Sequence, residues 1–258
     1  MVYSKKSRKS FRRPYSKRAL AKKLLRKSAK RSLVKLIKKT VYKTAQTKFV
    51  NQVSSQIAFN SSIDTIAEMY PVFPQCPTGY NNDKGRVGNE ITVRGLTCRG
   101  LVRITNTATM PQPKWAYIYF LEDLHQKDAT NGASASYFLS DSGTPTQFGG
   151  TWSTASLGVD KSHFRLIRKV KVRLTQNYAS GSTQAGVVDA QGTQYREFKV
   201  NIPIRNKVLK YDNTGSTTLP NNMNLLWCAG YLNYDGTIDV ALQNVTVQIN
   251  SMMWYKDF

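Results

Sequence analysis

The first 48 residues carry half of the positive charge of this 258-residue chain and no acidic residue. They hold 19 of the 38 Lys and Arg residues, and the first carboxylate of the chain is Asp64. The other residues combine 19 bases with all 15 acids, so their net charge is +4, beside +19 in this basic arm. A segment whose charges are all positive cannot form internal ion pairs, so it needs an external polyanion as partner. Among polyanions, nucleic acid is the one this pattern favours most.

The basic arm has two parts that differ in the pattern of their apolar residues. Residues 1–18 mix bases with serine and lack an apolar period, which predicts a disordered leader. Residues 19–50 are helix-prone and amphipathic, because Leu33, Leu36, Ile37 and Val41 recur at helical spacing. The nucleic-acid-binding residues predicted in the arm are Lys5, Lys6, Arg8, Lys9, Arg12, Arg13, Lys17, Arg18, Lys22, Lys23, Arg26, Lys27, Lys30, Arg31, Lys35, Lys38, Lys39 and Lys43.

A basic amphipathic helix has three common targets: a membrane surface, a protein groove and the nucleic-acid backbone. The arm contains no Trp, which weakens the membrane interpretation. We therefore favour nucleic acid, bound through phosphate contacts that do not depend on its sequence. The dense cluster from Lys5 to Lys9 also resembles a nuclear-import signal, which makes import receptors candidate partners.

Residues 51–258 read as one β domain with long polar loops at 129–158, 177–194 and 211–223. No helical pattern of ordinary length interrupts the strands, which disfavours doubly wound α/β folds, and no Cys–Trp–Cys pattern indicates an immunoglobulin domain. The predicted fold class is all-β: a single jelly-roll β-sandwich with long loops, preceded by a basic, partly helical arm. The predicted strands are Ile91–Val93, Leu101–Thr105, Trp115–Leu121, Phe164–Leu174, Glu197–Ile204, Asn224–Leu232 and Val240–Trp254.

The strand Phe164–Leu174 alternates between apolar and basic residues. Alternation places successive side chains on opposite faces, so the pattern predicts one apolar face and one basic face. The predicted apolar face consists of Phe164, Leu166, Val170, Val172 and Leu174. The predicted basic face adds four nucleic-acid-binding candidates: Arg165, Lys169, Lys171 and Arg173.

Catalytic and cofactor motifs are absent from the sequence, which contains no GxSxG, P-loop, GxGxxG or HExxH pattern. His125 and His163 have no adjacent acid or nucleophile motif, and we interpret them as surface or loop residues. The densest acidic group, formed by Glu122, Asp123 and Asp128, is interpreted as a solvated loop in preference to a divalent-cation site. We therefore expect no enzymatic activity, no cofactor and no metal.

The three cysteines, Cys76, Cys98 and Cys228, are widely spaced and cannot build a CxxC site or a secretory disulfide framework. We expect small buried apolar side chains in a reducing compartment. No stretch approaches the roughly 18 apolar residues of a membrane span, and no apolar segment follows the basic start as it does in a secretion signal. No membrane partner is therefore expected.

Three segments carry a resemblance to a known family. They are RVGNEITVR at 86–94, YREFKVNIPIRNKVLKY at 195–211 and MMWYKDF at 252–258. With the basic arm before an all-β body, the chain resembles the single-jelly-roll capsid proteins of small circular, Rep-encoding single-stranded DNA viruses, the circoviruses and cycloviruses. Its plan is also similar to geminivirus and satellite tobacco necrosis virus coat proteins, and the segment at 86–94 looks like the start of the family's first strand.

The resemblance implies a virion protein that self-assembles into an icosahedral shell of about 60 copies, with inward arms that package a single-stranded genome. About 60 arms would carry about 1,100 positive charges, which suits a genome of roughly one to two kilobases. DNA is expected in preference to RNA, and the host nucleus is the expected site during infection. Two alternatives remain open: a cellular nucleic-acid-binding protein with a basic tail, ribosomal or chromatin-like, and a membrane-active toxin.

Overall fold

The computed structural model describes residues 28–34, 36–37, 45–79, 85–104, 114–174, 195–212, 218–238 and 245–257. The chain divides into two compact units, residues 1–45 and residues 46–258. In the first unit, residues 28–34 and 36–37 are helical. Among the described residues, no helix is long and apolar enough to cross a membrane.

The second unit is built from antiparallel β-sheets. In the part of this unit that the structure describes, the helical elements are two short 3₁₀ turns, Ile66–Glu68 and Ala129–Asn131, and one helix, α1 (Trp152–Ser156). The helix starts at a capping box between Thr151 and Thr154. The strands are β1 (Thr47–Val53), β2 (Ile57–Phe59), β3 (Tyr70–Pro71), β4 (Glu90–Ile104), β5 (Lys114–Asp123), β6 (Leu139–Asp141), β7 (Thr144–Thr146), β8 (Gly158–Val159), β9 (Phe164–Leu174), β10 (Tyr195–Ile202), β11 (Val208–Lys210), β12 (Asn224–Asn233) and β13 (Val245–Asp257).

Two of the sheets have the strand order of a jelly roll. The first sheet runs β1-β13-β4-β10, with β2 and β11 added to its side, and the second runs β3-β12-β5-β9. Numbered among themselves, the eight strands of these paths follow the orders 1-8-3-6 and 2-7-4-5, as in a sandwich of two Greek keys. The predicted all-β jelly-roll fold is confirmed.

The main hydrophobic core lies between these two sheets. It combines Val93, Cys98 and Val102 of β4 with Ile118 of β5 and Trp227 of β12, among other buried side chains. In β4 the buried residues alternate with partly exposed ones, because among the described residues the main core packs on one face of the first sheet. Burial of this apolar area is the main contribution to the stability of the sandwich.

A second hydrophobic cluster lies on the opposite face of the second sheet, beneath residues 124–163, which we call the covering segment. Phe138, Leu139 and Phe148 of this segment pack with Tyr119 of β5 and Cys228 of β12. Nearly every residue of β5 and β12 is consequently buried. Burial on both faces explains why these strands read as continuous apolar runs, WAYIYFL and LLWCAGYL, without alternation.

Several predicted boundaries differ from the structure. Residues 47–50, placed by their pattern in the helix-prone segment, belong to β1, which pairs with β13 from Thr47↔Lys256 to Val53↔Asn250. The segment at 86–94 leads into β4, the third of the eight jelly-roll strands, so its interpretation as the first strand is wrong. The loop predicted at 129–158 contains β6, β7 and α1, whose apolar anchors are too few to show a local period.

Candidate nucleic-acid interface

Most of the arm residues predicted to bind nucleic acid lie outside the described residues. These are Lys5, Lys6, Arg8, Lys9, Arg12, Arg13, Lys17, Arg18, Lys22, Lys23, Arg26, Lys27, Lys35, Lys38, Lys39 and Lys43. Lys30 and Arg31 are described, and both are exposed on the helical stretch 28–34. The apolar side chains of this stretch and its continuation are also exposed: Leu33, Val34, Leu36 and Ile37 have between 43% and 62% of their surface accessible.

The four predicted basic residues of β9 do not share one face. The pairing of β5 with β9 shifts register between Phe120↔Arg168 and Leu121↔Leu166, which leaves Ile167 as an extra residue. Such a β-bulge moves the side chains that follow it to the opposite face. Phe164 accordingly packs in the second cluster, whereas Val172 and Leu174 pack in the main core. The prediction of a single basic face is therefore wrong.

Arg165 lies before the bulge and pairs with an acid. It is opposite Glu122 of β5, and the two side chains form an ion pair. Since successive residues of a strand alternate, Glu122 lies on the other face from its neighbour Leu121, which belongs to the second cluster. Arg165 therefore points away from the face that carries the three cations beyond the bulge.

Lys169 has a structural role. Its Nζ donates a hydrogen bond of 2.6 Å to the carbonyl oxygen of Ala155 in α1 and lies 5.0 Å and 5.1 Å from the ring centres of Tyr117 and Tyr119. Burial, and next the nearby charge of Lys171, lower the pKa of Lys169. The ammonium group thus holds α1 on the second sheet and is not free to bind phosphate.

Lys171 and Arg173 are exposed and lie over aromatic rings. Nζ of Lys171 is 4.0 Å from the ring centre of Trp115 and 5.9 Å from that of Trp152, and the guanidinium of Arg173 is 5.6 Å from Trp115. We call these four side chains the cation–aromatic patch. Cation–π contacts of this kind orient the charged groups while leaving them open to solvent.

The outer face of the first sheet carries a second polar surface, which sequence reasoning missed. Cross-strand pairing places its side chains in rows, and the central row is Val53, Asn250, Arg99 and Lys199. We call this surface the open face and define it by five rows. The two rows on one side of the central row are Phe49 with Trp254, and then Asn51, Met252, Thr97 and Asn201. The two rows on its other side are Gln248, Leu101 and Glu197, and then Thr246, Arg103 and Tyr195. The strand alternation EITVRGLTCRGLVRI was the signal that could have indicated it.

The open face has a depression at its centre. It has a volume of about 590 Å³ and is lined by Val53, Arg99, Leu101, Glu197 and Lys199, together with Gln248 and Asn250. Arg99, Glu197 and Lys199 are exposed, so two cations and one carboxylate face solvent here. At the edge of the face, Arg103 donates a hydrogen bond of 2.7 Å from its Nη2 to Oε1 of Gln56.

The acidic residues proposed as a solvated loop are instead engaged in local structure. The carboxylate of Asp123 is fully buried and accepts hydrogen bonds from the backbone N–H groups of His125, Gln126 and Ser134. Asp128 accepts a hydrogen bond from Thr130 N and caps the second 3₁₀ turn. In the part of the chain that the structure describes, no group of three or more His, Cys, Asp or Glu residues could hold a metal ion.

The rings of the two histidines are in contact, with centres 4.7 Å apart and planes tilted by 33°. They lie at the two ends of the covering segment, where Leu124 N donates to His163 O. Nδ1 of His163 is 2.9 Å from Oδ2 of Asp160. The pairing of neighbouring antiparallel strands brings the two residues together, and no local sequence pattern could have revealed it.

All three cysteines are buried and free, as expected for small apolar side chains. Burial raises the pKa of the Cys76 thiol above its ordinary value. It raises the pKa of Cys98 to about 11 despite a contact of its sulfur with Ser251 Oγ. The thiols are therefore protonated packing groups.

Comparison with known proteins adds little. No protein-family model matches the chain, and no curated protein sequence matches it. Among solved structures, one similar chain is VP1 of the trichodysplasia spinulosa-associated polyomavirus in complex with 6'-sialyllactose. It is 9% identical, the alignment covers 81% of this chain and 94% of that chain, and the TM-score is 0.22. The jelly-roll assignment therefore rests on the strand order of this chain itself.

Proposed function

We propose that this protein is a viral capsid protein that self-assembles into an icosahedral shell and packages a single-stranded genome, DNA in preference to RNA. One observation carries the proposal: an acid-free arm of net charge +19, residues 1–48, leads into the first strand of an eight-stranded jelly roll. Jelly rolls occur in viral capsids, lectins and cupins, and the basic arm favours the first of these.

Packaging in this proposal is electrostatic. Lys and Arg of the arm neutralise phosphates and release their counterions, which makes binding strong, sequence-independent and sensitive to salt. Lys30 and Arg31 present exposed charges in the described part of the arm. On β9 we omit Arg165 and Lys169 as phosphate ligands, because their charged groups are engaged within the fold. Lys171 and Arg173 are exposed on the outer face of the second sheet, the opposite side of the sandwich from the first sheet.

The exposed apolar side chains of the arm fit assembly. Leu33, Leu36 and Ile37 expose more than half of their surface, and such a stripe is stable when another apolar surface covers it. In a shell, the apolar surface that covers this stripe would be supplied by another arm or by another subunit. The same arm, before assembly, would serve nuclear import through its leader.

Electron microscopy of the expressed full chain tests the proposal. We expect closed particles of uniform diameter that contain nuclease-protected single-stranded nucleic acid. A variant without residues 1–44, which retains β1 from Thr47, should keep its fold and lose the packaged nucleic acid. A monomer or dimer that binds nucleic acid without forming shells would instead support a cellular nucleic-acid-binding protein. Particles that package equally well without the arm would refute the role of the arm.

A further inference from the structure

The open face has the arrangement of a nucleic-acid-binding sheet surface. Arg99 of β4 lies between Asn250 of β13 and Lys199 of β10 in the central row, and Arg103 lies beside Tyr195 two rows away. Arg99 and Lys199 are therefore neighbours, and Arg103 lies about 14 Å further along the sheet, because rows on one face of a strand are separated by about 6.8 Å. Such a line of charge can follow a phosphate backbone.

Amide side chains lie beside the cations and can contact bases. Asn51, Asn201, Asn250 and Gln248 carry groups that both donate and accept hydrogen bonds. Two of them are already engaged in hydrogen bonds: Asn201 Oδ1 accepts from Thr97 Oγ1 at 3.0 Å, and Gln248 Nε2 donates to Ser54 O at 3.3 Å. At the edge of the face, Tyr195 is 63% exposed, and its ring is available for stacking. Stacking on exposed aromatic rings beside a basic groove is the usual mode of binding single strands without sequence preference.

The charge of the open face argues against a second copy of the chain as its occupant. Arg99, Arg103 and Lys199 face one carboxylate, that of Glu197. A symmetric contact between two such faces would oppose like charges, whereas the cores of protein–protein interfaces are depleted of charged residues. A polyanion complements the same surface directly.

We propose that the open face binds single-stranded nucleic acid, with Arg99 and Lys199 on the phosphates and Tyr195 stacked on a base. This inference rests on the proposed function and adds a second binding element, within the jelly roll, to the basic arm. The depression of about 590 Å³ falls within the range of about 300–1,000 Å³ that is usual for small-ligand sites, enough for a nucleotide. The arm joins the chain at β1, an edge strand of the same sheet.

The salt dependence of binding to oligo(dT) tests the two phosphate contacts in the full chain. The logarithm of the binding constant falls with the logarithm of the salt concentration, and for a single strand each phosphate contact makes this slope steeper by about 0.7. The double variant Arg99→Gln, Lys199→Gln should therefore make the slope shallower by about 1.4. We expect affinity at 0.1 M salt to fall about tenfold. The control Arg205→Gln with Lys207→Gln removes equal charge from exposed cations in the turn between β10 and β11 and should keep the wild-type slope.

Tyr195 provides a second readout that charge does not affect. Tyr195→Ala should weaken oligo(dT) binding about fivefold or more and abolish ultraviolet cross-linking to the peptide that contains residue 195, whereas Tyr195→Phe should retain binding. If the full chain binds oligo(dT) but the Arg99/Lys199 variant keeps the wild-type slope and affinity, this inference is overturned. If the full chain does not bind nucleic acid, the proposed function fails as well.

Discussion

The ring of Phe148 lies directly on Gly230 of β12. A β-carbon added to Gly230 would be 2.7 Å from Cδ1 of Phe148 and 3.0 Å from the carbonyl oxygen of Ser61. Phe148 also packs against Tyr117 and Tyr119 and belongs to the covering segment. The glycine thus creates the space that seats this segment on the second sheet.

Gly230→Ala is expected to lower the free energy of unfolding by about 1–3 kcal/mol, because overpacking forces a buried ring and a backbone segment apart. Urea denaturation monitored by Trp fluorescence measures the loss. Gly158→Ala is the matched control, because a β-carbon at Gly158 meets nothing within 4 Å. Equal stability of the two variants would show that the ring moves without cost.

Lys169→Met and Lys171→Met should differ in their effects on stability. The Lys169 variant loses the hydrogen bond to Ala155 and should be about 1–2 kcal/mol less stable. The Lys171 variant loses an exposed cation–π contact and should lose about 0.5–1 kcal/mol. Thermal or urea denaturation compares the two. A larger loss for Lys171 would contradict the structural role of Lys169.

Asp257 joins both ends of the second unit. Its carboxylate accepts hydrogen bonds from the backbone N–H groups of Val87 and Gly88 and pairs with Lys48 of β1 at 3.3 Å. Asp257→Asn should cost about 1.5–3 kcal/mol, since the charged acceptor is nearly buried. In a double-mutant cycle, Lys48→Met should cost less in the Asp257→Asn background than in the wild type. Additive effects would exclude the coupling.

The bounds of β9 could be predicted from the sequence, but its faces could not. A run of β-branched, aromatic and basic residues with alternation marks Phe164–Leu174 as a strand, and the structure has the same limits. The extra residue at Ile167 reverses the alternation beyond it. A bulge depends on the register with β5, which is a tertiary property, so Arg165 and Lys169 cannot be assigned to opposite faces from local pattern.

The strand β1 and the covering segment were missed for a similar reason. The residues TKFVNQV continue a basic amphipathic pattern, and only pairing with β13, some 200 residues later, makes them a strand. Phe138 and Phe148 are isolated aromatics in a polar stretch, and their burial depends on the face of a distant sheet. Conversely, the open face could be anticipated from β4, where threonine, arginine and leucine alternate with buried residues.

The acid stability of the covering segment should depend on Asp160. Hydrogen bonds from the side chain and backbone N–H of Ser162, then from His163, lower the pKa of Asp160 from 3.8 to about 2. A carboxyl whose pKa is depressed in the folded state stabilises the protein above pH 4 and loses this contribution as the pH falls toward 2. The difference in unfolding free energy between wild type and Asp160→Asn should therefore shrink from pH 5 to pH 2. If the difference in unfolding free energy is the same at pH 5 and pH 2, the carboxyl of Asp160 does not have a depressed pKa in the folded state.

Cys98 should make the protein less stable in alkali. Burial raises the pKa of its thiol from 9.0 to about 11, so above pH 9 the unfolded chain releases a proton that the folded chain retains. Stability is then lost as the pH rises from 9 to 11, by up to about 1.4 kcal/mol per pH unit for this group. Cys98→Ala removes the titration and leaves a small cavity, so the wild type should be the more stable protein at pH 7. Urea denaturation should show that this difference in unfolding free energy narrows between pH 9 and pH 11. A difference that is independent of pH would show that the thiol has the same pKa in the folded and unfolded states.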